Sequence, residues 1–283
     1  MKATRAGKTI FEWGKRTYVM GIINVSPDSF SGDGLSQVES SYAQAQRFVN
    51  EGADVLDIGG ESTRPNFKPV SESEELQRVI PVIEKIASVI KTPISVDTMK
   101  YEVARQALQA GASILNDQWG LKKEPRLAWL AAEQLVPVIL MSNQRDRGGF
   151  DAGSGRDTAD YDDVISEVIT SLGESITVAL GAGVPEEHII IDPGIGFGKT
   201  WQQDIEIIRR LKELKRLGKP ILIGTSRKSL IKMVLNLPAN ERVEGTAATI
   251  AIGIANGADI VRVHDVKQMV RVCKMTDAIV RGV

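Results

Sequence analysis

The chain has 283 residues with 35 basic and 36 acidic side chains, and a pI near 6.2. This balance gives no general attraction to nucleic acid or to an anionic membrane. A single cysteine, Cys273, excludes an internal disulfide framework. The N-terminal MKATRAGKTIFEWGKR lacks the apolar core of a secretory signal, and the longest uncharged stretch, 245–258, falls short of a membrane span, so a soluble, cytoplasmic protein is expected.

Eight short apolar runs follow one another, each ending in polar or charged residues. They are YVMGIIN (18–24), DVLDIGGEST (54–63), PISVD (93–97), SILND (113–117), PVILMSN (137–143), HIIID (188–192), PILIGTSRK (220–228) and DIVRVH (259–264). Runs of this length predict buried strands. Amphipathic stretches between them predict helices at about 37–51, 73–90, 99–110, 125–134, 161–182, 202–217, 245–257 and 266–281. Ser71-Glu72-Ser73-Glu74 opens the second helix, and Gly-Ala pairs at 52–53, 111–112 and 257–258 read as C-caps. Eightfold strand–helix alternation predicts an α/β fold, a single TIM (β/α)8 barrel over residues 1–283, with 1–17 a short cap across its bottom.

Active sites in this fold lie at the carboxyl ends of the strands. The candidates are therefore Asn24, Glu61 to Arg64, Asp97, Asn116, Asp117, Asp192, Arg227, Lys228, Arg262 and His264. Loops 25–36, 62–71 and 144–160 are polar, contain Gly or Pro, and fall on the same face, as segments that close over a substrate do.

Arg64, Lys228, Arg262 and His264 come from neighbouring strands and converge on one side of the mouth, a charge set suited to phosphate oxygens. Asn24 offers a neutral oxygen to a hydrated Mg²⁺ bridging such phosphates. The bland alternative pairs these cations with Asp117, Glu61 or Asp265. Across the mouth, Asp97, Asn116 and Asp192 suit a flat heterocycle with adjacent N–H donors, walled by Ile22, Val96, Met141 and Ile223; two buried carboxylates without partners imply a ligand with donors. Alternatively, Asp192 only caps the turn before Pro193-Gly194. In DPGIGFGKT (192–200) the glycine spacing differs from a Walker loop; Gly194, Gly196 and Gly198 permit a tight loop presenting Phe197 to a planar ligand. Two histidines and one cysteine argue against a catalytic zinc, and His188 and the four tryptophans read as structural.

MGIINVSPDSF (20–30), DIGGESTRP (57–65), SVDT (95–98), ND (116–117), DPGIGFGKT (192–200), GTSRKS (224–229) and RVHDV (262–266), in this order, resemble the motifs of the dihydropteroate synthase family across residues 18–281. The resemblance implies condensation of 6-hydroxymethyl-7,8-dihydropterin pyrophosphate with p-aminobenzoate, with Mg²⁺, in folate biosynthesis, by a homodimer that is a sulfonamide target. It also implies that Asp97, Asn116, Asp192, Lys228 and Met141 hold the pterin. Asn24, Thr63, Arg64, Arg262 and His264 take the pyrophosphate, with Asn24 on the metal. Thr63, Arg64, Pro65, Phe197, Lys228 and Ser229 shape the p-aminobenzoate site, while Asp33 and Phe30 act from the first loop. Helices 245–257 and 266–281 carry apolar positions that suit a dimer interface.

The chain departs from the family pattern at Ser142 (commonly His), Asp204 (commonly Asn) and Asn66 (commonly Gly); Phe67 and Lys68 beside Asn66 alter the p-aminobenzoate entrance. Three rivals are a pterin-dependent methyltransferase, which needs no diphosphate cluster, a pterin-binding paralogue without turnover, and a sugar-phosphate aldolase. The last fits poorly because Lys228 follows Arg227 in a cationic cluster rather than sitting in an isolated apolar pocket.

Overall fold

Eight parallel strands pair in chain order in a computed structural model that describes residues 1–25, 34–61, 69–145 and 161–282. An N-terminal hairpin, β1 (Thr4–Ala6) and β2 (Thr9–Phe11), precedes them. The barrel strands are β3 (Tyr18–Asn24), β4 (Val55–Gly59), β5 (Ile94–Asp97), β6 (Ile114–Asp117), β7 (Val138–Met141), β8 (Ile189–Asp192), β9 (Leu222–Ile223) and β10 (Ile260–Val263). Their order is β8-β7-β6-β5-β4-β3-β10-β9, and a parallel bridge between Ile191 and Ile221 closes the ring. Around it run α1 (Gly34–Glu51), α2 (Glu72–Val89), α3 (Tyr101–Gln109), α4 (Arg126–Glu133), α5 (Val164–Gly181), α6 (Trp201–Arg209), α7 (Ser229–Leu235), α8 (Val243–Ala255) and α9 (Val266–Val280).

The two-residue period of a strand divides the barrel into an outer and an inner face. Val19, Ile23, Leu56, Ile58, Val96, Leu115, Leu140, Ile191, Ile223 and Val261 pack outward against the helices. Met20, Val55, Ile114, Ile139, Ile190, Leu222 and Ile260 point inward at the bottom, where Phe11 of the hairpin and Tyr18 complete an apolar plug. The expected cap is this hairpin. Two residues further along the same strands the inward positions become Ile22, Asp57, Asn116, Met141, Asp192, Gly224 and Arg262. The interior thus changes from apolar to largely polar in a single layer, and that layer floors the mouth.

The outward set corrects one expectation: Val96 and Ile223 face the helices, so of the four proposed walls only Ile22 and Met141 point inward.

Helix ends follow local chemistry. The Ser71 side chain accepts from the Glu74 N–H at 3.2 Å, and Thr200 and Gln203 form a reciprocal capping box at the start of α6. Gly111 sits at φ 117°, where an added Cβ would lie 2.5 Å from Ala87 Cβ, and the Ala112 N–H bonds back to Ala107 O at 2.9 Å. Gly52 and Gly257 end their helices in the same way.

Two elements end early and one helix is additional. The helix placed over 202–217 ends at Arg209 and continues as a 3-10 helix, Leu211–Leu217. Buried Leu211 and Leu214, followed by Leu217, recur every third residue, which matches three residues per turn better than 3.6. Within the run 220–228 only Leu222–Ile223 are strand, because the chain turns at Arg227, whose φ is 60°. The short helix α7 that follows was not expected; Asn236 in the left-handed region stops it. Helix α5 is long and apolar enough to cross a membrane by length and composition, yet half of it is buried, with Val164, Ile165, Val168, Ile169 and Leu172 packed into the core.

Candidate active site

The mouth is organised by Arg262, which rises from β10 and reaches across to two carboxylates. Its Nε lies 2.6 Å from Asp57 Oδ2 and its Nη2 lies 2.7 Å from Asp97 Oδ2. Asn116 Nδ2 donates to both oxygens of Asp57 at 3.3 Å, and Gln118 Nε2 donates to Asp97 at 2.6 and 2.7 Å. Burial, aided by the Asp57 charge, pushes the Asp97 carboxyl up to about 7, with Arg262 pulling the other way. For Arg262 burial works against the charged form, but the two carboxylates outweigh it and hold the guanidinium firmly protonated.

This geometry corrects the expected division of the mouth into separate acidic and basic walls. Arg262 spans both, because buried carboxylates are too costly to leave unpaired, and Asp97 finds its donors within the protein. Asp57 and Gln118 were both missed. Asp57 lies inside the DIGGESTRP motif, but the polar end of that run was placed at Glu61 to Arg64. The strand stops at Gly59, so the acid interrupting VLDIG was the signal.

Asp192, at the end of β8, accepts from the Gly194 N–H at 2.7 Å, and burial raises its pKa against the pull of Lys228 and Arg262. It therefore caps its turn and also faces the cations. Asp117 points away from the mouth, accepting the Trp119 and Leu121 N–H groups at 2.9 and 2.6 Å.

Asn24, Asp97, Phe197, Lys228, Ser229, Arg262 and His264 all line one cavity of about 400 Å³ at the strand ends. Asn24 is exposed at the tip of β3, and Met141 is buried at the end of β7. His264 Nδ1 is 3.0 Å from Ser226 Oγ, which fixes the imidazole ring. The Lys228 ammonium donates to the Ile195 carbonyl and sits 4.6 Å above the centre of the Phe197 ring. Burial pushes Lys228 down to about 8, with Asp192 and Asp204 opposing. Arg227 also lines the cavity, and its Nε is 3.0 Å from Asp265 Oδ2, so Asp265 pairs with a cation outside the expected four. Glu61 pairs with Lys100 at 2.6 Å rather than with one of the expected cations. The candidates Asp33, Thr63, Arg64 and Pro65, with Phe30, Asn66, Phe67 and Lys68, lie outside the described residues.

The glycine loop 192–200 packs on the segment after β7. At Gly194, φ is 71° and a Cβ would stand 2.2 Å from Ser142 O. Lys199, unassigned from sequence, is buried beneath and donates to the carbonyls of Ser142, Gly194 and Phe197 at 2.9, 3.0 and 3.2 Å. The loop is thereby tied to Ser142, one of the departures noted in the sequence. Arg145, also unassigned, lies 4.2 Å from the Phe197 ring centre.

Fold and site together define a pterin-binding (β/α)8 enzyme: the sequence matches the family of pterin binding enzymes over residues 20–264. It is 47% identical to a dihydropteroate synthase of Clostridium beijerinckii over 98% of this chain and 99% of that relative. It is 49% identical to that of Synechocystis over 97% and 94%. A dihydropteroate synthase of Clostridium difficile, solved in the presence of pteroic acid, superposes with a TM-score of 0.89 at 46% identity, covering 96% of this chain and 99% of that one. The chain belongs to the dihydropteroate synthase family and is a transferase.

Proposed function

We propose that this chain joins p-aminobenzoate to 6-hydroxymethyl-7,8-dihydropterin pyrophosphate, with the pterin held by the buried acids and amide and the pyrophosphate by Asn24, Thr63, Arg64, Arg262 and His264. The observation that carries this reading is that Asn116 and Asp192 share the inward layer of the strand ends with Arg262, and that Asp97, Lys228, Arg262 and His264 line the cavity there. A pterin's adjacent ring N–H and amino donors match carboxylate acceptors, with the inward-facing Met141 on its apolar side. Thr63, Arg64 and Pro65 complete the pyrophosphate and amine sites on this reading, and Asp33 acts from the first loop.

The bond between the exocyclic methylene and its pyrophosphate oxygen breaks, and a bond from the amine nitrogen to that methylene forms. The amine proton leaves to solvent or to the departing anion. An aryl amine is unprotonated near neutrality, so no strong base is required. The difficult part is charge separation, which Arg262 and His264 ease on the leaving group and the electron-rich ring eases on the carbon. Phe197, with Lys228 over it, forms a shelf for the aromatic ring and carboxylate of p-aminobenzoate, and Ser229 borders that shelf.

The donor set at Asn24 fits Mg²⁺: one exposed neutral amide oxygen, with no cluster of three or more His, Cys, Asp or Glu among the described residues, suits an ion that keeps most of its waters. When bound it would neutralise charge on the pyrophosphate.

Exposed Ile252 on α8 with Met275 and Ile279 on α9 supports a homodimer through this face. The near-neutral net charge and the single buried thiol support a cytoplasmic protein.

Pyrophosphate release from the dihydropterin substrate, measured with Mg²⁺ and with or without p-aminobenzoate, tests the reaction. Amine-dependent release with dihydropteroate formed is expected. Tight pterin binding without release would replace this reading with that of a silent paralogue.

A further inference from the structure

A single peptide group in the glycine loop is held at both ends by charge. The carbonyl of Ile195 accepts from Lys228 Nζ, and the N–H of the same peptide, on Gly196, donates to Asp204 Oδ1 at 2.9 Å. Asp204 lies in the first turn of α6 and is 1% exposed, and its Oδ2 has no hydrogen-bond partner among the described residues. One hydrogen bond is little compensation for a fully buried carboxylate, and burial pushes it up to about 7 against the pull of nearby cations, so that it is charged mainly above neutrality. Those cations are Lys199 and Lys228. Lys199 already donates to three carbonyls of the loop. Lys228 lies against the polarised peptide itself: at Gly196, φ is 78° and a Cβ would come within 3.3 Å of Lys228 Cδ.

We propose that Asp204 is a positioning residue that acts through the Ile195–Gly196 peptide to hold Lys228 as a fixed ammonium above Phe197. This rests on the reading of Lys228 as a substrate contact. A carboxylate on the N–H end of a peptide strengthens the acceptor at its carbonyl end, because hydrogen bonds in series polarise one another. The peptide thus carries the Asp204 charge to a lysine it does not touch.

The charged groups facing Lys228 are Asp192 from β8, Asp204 from α6, Arg262 from β10 and Arg145 after β7, with Lys199 beneath the loop. Burial, Arg262 and Arg145 favour loss of its proton, while Asp192 and Asp204 oppose it. Removing the Asp204 charge therefore makes Lys228 lose its proton at lower pH.

Asp204→Asn keeps the side-chain shape and an acceptor for the Gly196 N–H while deleting the charge. The pH dependence of kcat/KM for the dihydropterin pyrophosphate is followed in the wild type, Asp204→Asn and Lys228→Met, with affinity for 6-hydroxymethylpterin replacing it where turnover is too low. The expected result is an alkaline limb displaced downward by about one pH unit in Asp204→Asn, with an unchanged thermal midpoint near pH 6.5, and no such limb in Lys228→Met. A limb that vanishes in Lys228→Met yet stays in place in Asp204→Asn overturns the role of Asp204 alone. A limb that persists in Lys228→Met belongs to another group and overturns both this role and the substrate reading of Lys228. Asp204→Ser, a second neutral replacement, is judged by the same displacement should the asparagine variant fail to fold.

Discussion

Arg262 and Asp97 stand on strands separated in the barrel by β3 and β4, yet they meet at 2.7 Å in the centre of the mouth. The guanidinium is anchored at its other edge by Asp57, which is completely buried. Arg262 is thus both a scaffold of the site and a candidate contact for substrate.

Replacing Arg262 by Met leaves two buried carboxylates without their cation. Removal of one partner from a buried ion pair typically costs about 3–5 kcal/mol, and loss of a charged transition-state contact about 10²–10³ in rate. Thermal unfolding and steady-state turnover of Arg262→Met should show both losses. A variant with native stability would mean that Asp57 and Asp97 are satisfied without Arg262.

Asp117 provides a pH test away from the substrates. Burial pushes its carboxyl up to about 6 from 3.8, against the Trp119 and Leu121 N–H groups. The native state therefore keeps a proton that the unfolded chain releases. The contribution of Asp117 to stability is fully present below about pH 4 and is lost as pH rises through about 6. Asp117→Asn removes this dependence, so its stability relative to the wild type should improve by on the order of 2–3 kcal/mol between pH 4 and pH 7. Denaturant titrations at the two pH values measure it, and a constant difference would disprove the shift.

Gly194 and Gly218 separate backbone strain from steric conflict. Both have positive φ, 71° and 67°, but a Cβ on Gly194 would strike Ser142 O, whereas one on Gly218 meets nothing within 4 Å. Gly218→Ala should cost about 1–2 kcal/mol of stability, the left-handed penalty alone. Gly194→Ala should cost more and also raise KM for the pterin substrate, because the loop must leave Ser142. Equal costs in chemical denaturation would remove the steric component.

Ile279 on α9 is 72% exposed, so a charge there has little effect on the folded monomer. If α8 and α9 form the dimer face, Ile279→Glu should shift the protein toward monomer in sedimentation velocity while its thermal midpoint at low concentration is retained. An unchanged sedimentation profile would place the interface elsewhere.

Asp97, Asn116 and Asp192 were legible as site candidates because each ends an apolar run and strand periodicity aims it inward; Lys228 and His264 were legible just beyond their strands, and Arg262 within the last three residues of the run DIVRVH. Asp57 was not, because it interrupts its run instead of ending it. Arg227 read as a site cation and lines the cavity, but its pairing with Asp265 was not legible, because the two stand 38 positions apart on different loops. Lys199 lay inside a recognised motif with no assigned role, since the carbonyls it binds include one from a different strand end.

What the sequence by itself determined is local: period-two alternation sets which side chains face inward, and the strand–helix alternation sets the class of fold, because both follow from a few neighbouring residues. Only the tertiary structure decided the pairings. Closure of the ring and the register of its strands bring Arg262 to Asp57 and Asp97, residues 205 and 165 positions away along the chain, and set Asp204 and Lys228 on opposite ends of one peptide. Such partners are selected by burial, which forces each charge to find a counter-charge or a dipole wherever the fold places one.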